Sequence, residues 1–199
     1  MLKILHTSDL HFNKRHFEWI VSQQENYDLF CITGDFLDEL QDDVQEQIIW
    51  VRSWIKAFEK PLFVCTGNHD VSIEGNENWL NEINTKNYYC DGMRKSIEGT
   101  LFLSAPYENY DGFDDCDVLL NHLPPAKTKT ALTKDGEDWG DRELYRALKN
   151  GLIKPKIILS GHIHSPQKQV DSLFGTTVYN PGLTTNRDIP FHHNITINT

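Results

Sequence analysis

LFCITGDFLDELQDDVQEQIIWVRSWIKAFEKPLFVCTGNHD, residues 29–70, contains two short apolar runs with a longer amphipathic segment between them. Leu29 to Thr33 and Leu62 to Cys65 are too short for buried helices and suit strands covered on both faces. Val44, Ile48, Val51, Ile55 and Phe58 recur at intervals of three and four, which predicts a helix with one buried stripe, and Pro61 ends it. Strand, helix, strand in this order implies two parallel strands joined by a right-handed crossover. Each run is followed by a glycine and then by side chains able to hold a metal: Gly34-Asp35, and Gly67-Asn68-His69-Asp70.

The same pattern extends outward. Leu2 to Thr7 is a third apolar run and leads into Ser8-Asp9, while Phe17, Ile20 and Val21 show helical spacing. Beyond residue 70 the rhythm changes. Thr100 to Ala105, Asp117 to Asn121, Lys156 to Ser160, Thr176 to Tyr179 and Asn194 to Ile197 are predicted strands, with one helix over Arg142 to Asn150. So few helices in the C-terminal third predict a second, largely antiparallel sheet. The fold class expected is α/β, in a single domain spanning 1–199.

The chain has 199 residues, 39% hydrophobic and 24% charged, which is ordinary for a globular protein with a real core. Its net charge of −10 makes nucleic acid and anionic membranes unfavoured partners, because binding by counterion release needs clustered Lys and Arg. The N-terminus lacks the apolar run of a signal peptide, and no run of about 18 apolar residues occurs. A cytoplasmic location is expected. Cys31, Cys65, Cys90 and Cys116 show no C-x-x-C spacing, and two lie inside apolar runs, the pattern of reduced core thiols.

Chemistry concentrates where the apolar runs end. Asp9 and His11 sit two apart, so on extended chain both would project to one side. Asp35 follows Gly34, Asn68 follows Gly67, His122 closes Val118 to Asn121, and His162 and His164 follow Gly161. Parallel strands bring such ends into one crevice. Imidazoles, carboxylates and an amide without thiolate suit two divalent ions from manganese, iron, zinc or nickel. An ion pair of this kind serves phosphoryl chemistry.

Asp9-Leu10-His11, Gly34-Asp35-Phe36-Leu37-Asp38, Gly67-Asn68-His69-Asp70, His122 and Gly161-His162-Ile163-His164, in this order, resemble the calcineurin-like metallophosphoesterase family. The resemblance implies an αββα sandwich of two mixed sheets flanked by helices. It further implies one metal held by Asp9, His11 and His164 and a second held by Asn68, His122 and His162. Asp35 would join both, a bridging hydroxide would be the nucleophile, and manganese is favoured. His69 would stand beside the leaving oxygen, with Asp70 orienting its imidazole. The run Asn121-His122-Leu123-Pro124-Pro125 and the later Gly140-Asp141-Arg142 are similar to small class III cyclic-nucleotide phosphodiesterase-like members. Phe12 stands where many members carry glycine. The expected function is hydrolysis of a small organic or cyclic-nucleotide phosphodiester. Phosphomonoesterase or protein Ser/Thr phosphatase is the alternative, and nuclease the next. The oligomeric state stays open.

Several residues have plainer readings. Asp38 is either a support behind the site or a helix cap, and Arg142 either a phosphate ligand or an exposed partner of Glu143 or Asp138. Trp50 and Trp54, four apart on a helix, are expected in the core or an interface. His6 and His16 are expected to be structural or solvated, and His192 and His193 to lie on the surface. The acidic run Asp111 to Asp117 is expected to be a solvated turn, and Asn109 and Tyr110 to lie near the site.

Overall fold

The computed structural model describes residues 1–41, 43–73, 75, 78–107 and 115–198. Asn109, Tyr110 and most of the acidic run lie outside these.

Strand β1 (Leu2–Thr7) leads through helix α1 (Lys14–Ser22) to β2 (Leu29–Thr33), then α2 (Val44–Ala57) to β3 (Leu62–Cys65). After the short α3 (Asn68–Val71), β4 (Tyr88–Tyr89) completes the parallel set. The last strand, β11 (His192–Ile197), pairs antiparallel with β1, Leu2 opposite Ile197 and Thr7 opposite His192. The first sheet therefore runs β11-β1-β2-β3-β4.

The second sheet is built from β5 (Arg94–Ile97), β6 (Thr100–Ser104), β7 (Val118–Leu120), β8 (Ile157–Leu159), β9 (Val170–Leu173) and β10 (Thr176–Tyr179). Its order is β5-β6-β7-β8-β10-β9. Here the expectation of a largely antiparallel sheet fails: β6, β7, β8 and β10 are mutually parallel, and only the outer strands β5 and β9 run the other way. The physical reason is that a parallel return needs a long crossover but not always a helix. Between β8 and β10 the return is made by β9, which hairpins onto β10.

Successive residues of a strand face opposite sides, so a strand buried on both faces feeds two cores. Leu5, Ile32 and Val64 point toward Phe17 and Ile20 of α1 and Ile48, Val51 and Ile55 of α2. Their neighbours Ile4, Cys31 and Phe63 point the other way, against Phe102, Val118, Leu120 and Leu159 of the second sheet. The far face of that sheet packs Leu103, Leu119, Ile158 and Val178 against Leu144, Ala147 and Leu148 of α4 (Arg142–Lys149). Three cores thus separate four layers: helices, sheet, sheet, helix. Asp141 caps α4 by accepting from the Glu143 and Leu144 amides at 2.8 and 2.9 Å.

Trp50 and Trp54 pack on Phe17 at 5.2 and 5.1 Å between ring centres, as expected for core residues. The C-terminal histidines differ from expectation. His193 stacks on the buried His6 at 5.7 Å, because β11 brings it opposite that residue in the sheet, and its Nε2 is buried without a hydrogen bond. His192 lies against Trp19.

Candidate metal centre

Five parallel strands, β1, β2, β3, β7 and β8, deliver the candidate ligands from their C-terminal ends: Asp9 and His11, Asp35, Asn68, His122, and His162 with His164. Adjacent loops are bonded into one floor. Asp9 N–H donates to Gly34 O at 3.1 Å, His11 N–H to Asp35 O at 3.0 Å, and Gly161 N–H to His122 O at 2.9 Å. These loops are not extended chain. Asp9, His11, Asp35 and His162 all have positive φ, at 55°, 40°, 54° and 68°. Non-glycine residues rarely adopt this region, and where they do the surrounding structure must impose it. Asp9 and His11 therefore converge by a tight turn rather than by strand alternation. Phe12, at φ 51°, occupies a position that favours glycine, and its ring is held edge-on against Trp50.

The side chains form two groups that share one carboxylate. In the first, one ligand atom each from Asp9, His11, Asp35 and His164 lies within 4.8 Å of the others. His11 Nε2 is 3.2 Å from His164 Nε2 and 3.9 Å from Asp35 Oδ2, and His164 Nε2 is 3.5 Å from Asp9 Oδ1. In the second, Asn68 Oδ1 is 3.2 Å from His122 Nε2 and 3.0 Å from His162 Nδ1, while His122 Nε2 is 3.4 Å from Asp35 Oδ2. Donors about 2.1 Å from a common ion stand roughly 3 Å apart, so these separations fit shared divalent cations.

The surroundings prepare the ligands. His122 Nδ1–H donates to the Thr33 carbonyl at 2.6 Å, which leaves Nε2 as the nitrogen facing the site. Burial opposes charge on His122, but Asp35 beside it raises its pKa to about 9 in the metal-free protein. Burial also works against ionised Asp35, yet His122 outweighs it and holds the carboxyl below its usual range. Burial lowers His162 to about 4, so this ring is neutral and ready to coordinate. Backbone also closes on the site: Gly34 has φ +85°, and a Cβ there would meet the His122 ring and the Gly67 backbone. A Cβ on Gly161 would meet the side chains of Ser8 and Asp9.

One expected role changes. The Asp70 carboxylate does not orient the His69 ring; it is fully buried and accepts from the amides of Asp35 (2.8 Å), Phe36 (3.0 Å), Leu37 (3.3 Å) and Gly67 (2.9 Å). Asp70 thereby clamps the Asp35 loop to the Gly67 loop. The carboxylate near the His69 ring belongs to Glu39, whose Oε1 is 3.4 Å from Nδ1. Glu39 was not visible in the sequence as a functional residue; its signal is only that it follows Asp38 in the 34–38 block. Asp38 itself accepts from Leu40 N–H and Gln41 Nε2. Arg142 is not among the residues lining the site.

A pocket of about 460 Å³ opens over the centre, lined by Asp35, Asn68, His69, His162 and His164 on one side. Thr133, Lys134, Asp135, Trp139 and Ser165 form the other side. None of these five was singled out in the sequence: Thr133, Lys134, Asp135 and Trp139 lie on a loop without a motif, and Ser165 only follows the block that ends at His164.

The profile described as calcineurin-like phosphoesterase matches residues 2–166. The chain belongs to this family. The motif residues 9–164 quoted above lie within the matched span. Among curated proteins none matches the sequence. Solved structures align over most of their length at low identity. TT1561 of Thermus thermophilus is 13% identical with a TM-score of 0.63, covering 91% of this chain and 89% of that one. A structure described as a novel archaeal phosphodiesterase is 17% identical with a TM-score of 0.54, covering 98% of this chain and 100% of the other. These likenesses establish the fold as the family's two mixed sheets flanked by helices.

Proposed function

We propose that this phosphoesterase hydrolyses small phosphodiesters with two divalent ions, manganese favoured, bound in the two ligand groups. The observation that carries the paired site is the position of Asp35 Oδ2, 3.9 Å from a histidine of one group and 3.4 Å from a histidine of the other. Asp9, His11 and His164 would hold one ion, and Asn68, His122 and His162 the other, with Asp35 common to both. When bound, the ions supply charge neutralisation to the phosphoryl oxygens and activate water near neutral pH.

The chain's own residues do the rest. Asp70 fixes the two loops that carry Asp35 and Asn68, so the ligands keep their spacing without rearrangement. His69 lines the pocket with Nδ1 toward Glu39, leaving Nε2 to give a proton to the leaving oxygen. Beyond the ligands the pocket wall carries one Lys and one Asp, whose charges offset each other. Such a wall suits a singly charged diester with two substituents better than a dianionic monoester, which benefits from an arginine clamp. The four cysteines lie buried, which supports a reduced, cytoplasmic setting. Among the described residues no helix is long and apolar enough to cross a membrane.

The test compares bis-p-nitrophenyl phosphate with p-nitrophenyl phosphate after chelation and metal add-back. The diester is expected to turn over faster, and only after metal is restored; a faster monoester rate overturns the diester assignment.

A further inference from the structure

The wall of the pocket opposite the ligands is a small hairpin. Leu132 bridges Asp138, Thr133 N–H donates to Glu137 O at 2.9 Å, and Gly136 N–H closes the turn onto Thr133 O at 2.9 Å. The hairpin is fixed to the chain that leaves the centre: Thr133 bridges Pro166, and Gln167 N–H donates to Leu132 O at 2.9 Å. Trp139 follows the hairpin, its N–H donating to Ala131 O at 3.2 Å. Gly140 wedges between Ala126 and Ala131 so closely that a Cβ would come within 2.7 Å of each. The base of the indole is thus held in place.

Trp139 is 56% exposed, although it lines a pocket shared with His69, His162 and His164. Its polar atom is already engaged, since Nε1–H donates to Glu137 Oε2 at 3.1 Å. What it offers a ligand is therefore its apolar face. A large, fixed aromatic surface beside a centre built for phosphate calls for a phosphate ester with a flat group attached. Thr133, Ser165, Lys134 and Asp135 line the same pocket and bring hydroxyl, ammonium and carboxylate groups to it. These donors and acceptors match the edges of a base and its sugar rather than a bare hydrocarbon ring.

The geometry points to Trp139 as a stacking platform for the base of a small nucleoside phosphodiester whose phosphate sits on the ligand groups. The assignment rests on the diesterase reading of the same site and narrows its substrate to nucleoside-bearing esters. A net charge of −10 favours a free nucleotide over a strand of nucleic acid, whose further phosphates would meet no compensating cations.

The test measures binding by calorimetry in manganese. The probes are the methyl ester of a non-hydrolysable methylenephosphonate of adenosine, the same phosphonate ester of ribose alone, and a single-stranded pentanucleotide joined to adenosine through that phosphonate. Base stacking on an aromatic ring predicts that adenosine binds at least about fivefold more tightly than ribose. Trp139→Ala is expected to erase that ratio, leaving ribose binding unchanged, and Trp139→Phe to keep most of it. Equal affinity for the two small probes, or a ratio that survives Trp139→Ala, overturns the platform. Tighter binding of the pentanucleotide overturns the assignment to free nucleotides. Because these probes are not turned over, the outcome is independent of whether diesters or monoesters are hydrolysed.

Discussion

Asp35 is the residue on which the two ligand groups depend, because each has a histidine within 4 Å of its Oδ2. Asp35→Asn keeps the shape but removes the charge. Turnover is expected to fall by at least about a thousandfold, with the bound metal per chain falling too, read by elemental analysis. Asp70 makes a different prediction from the one its place beside His69 suggests. Its four amide donors would be left buried and unsatisfied in Asp70→Ala, at a cost on the order of 3 kcal/mol or more. Denaturant unfolding of the metal-free protein checks this; an unchanged midpoint would contradict the clamp. At this scale the candidate ligands were legible in the sequence, since each is a metal-capable side chain just beyond an apolar run. The partner of His69 was not. Glu39 comes within 3.4 Å of the ring through the path of a loop, and one residue of spacing cannot tell which carboxylate lies beside His69 and which clamps the loops.

Among the elements, the strands buried on both faces could be read directly: LKILHT, LFCIT and LFVC supply side chains to two cores at once. The short edge strands were not seen. Arg94–Ile97 and Val170–Leu173 are largely exposed and polar, so neither alternation nor an apolar run marks them; they exist because a neighbour's backbone is available to pair with. The loop ends are less forgiving than the strands. Gly34 combines φ +85° with no room for a Cβ beside His122 and Gly67. Gly34→Ala is expected to cost about 2–4 kcal/mol and to lower metal affinity along with stability, since relief of the clash must displace His122 or the Gly67 loop. A thermal scan with and without manganese reads both effects, and a variant that keeps the metal-induced shift in full would contradict the close fit.

For the molecule as a whole, the return of the chain to β1 sets a half-buried histidine, His193, against the buried His6. Burial holds His6 well below 6.5 and His193 at about 4, each also disfavoured by a neighbouring histidine. Above pH 6.5 these rings are neutral both folded and unfolded. Below it the unfolded chain takes up protons that the folded one refuses, so stability is fully present above about pH 6.5 and is lost as pH falls toward 4. The melting temperature of chelator-treated protein is expected to drop between pH 7 and 5, and His193→Asn to flatten that slope; equal slopes would contradict it. The pairing of His6 with His193 joins residues 187 positions apart in register and was beyond local sequence patterns.

Titration of chelator-stripped protein with manganese, following bis-p-nitrophenyl phosphate hydrolysis, bears most directly on the paired site. Activity is expected to rise until two equivalents are bound per chain, as two ligand groups sharing Asp35 require. Full activity at one equivalent, or no hydrolysis at two, would contradict it.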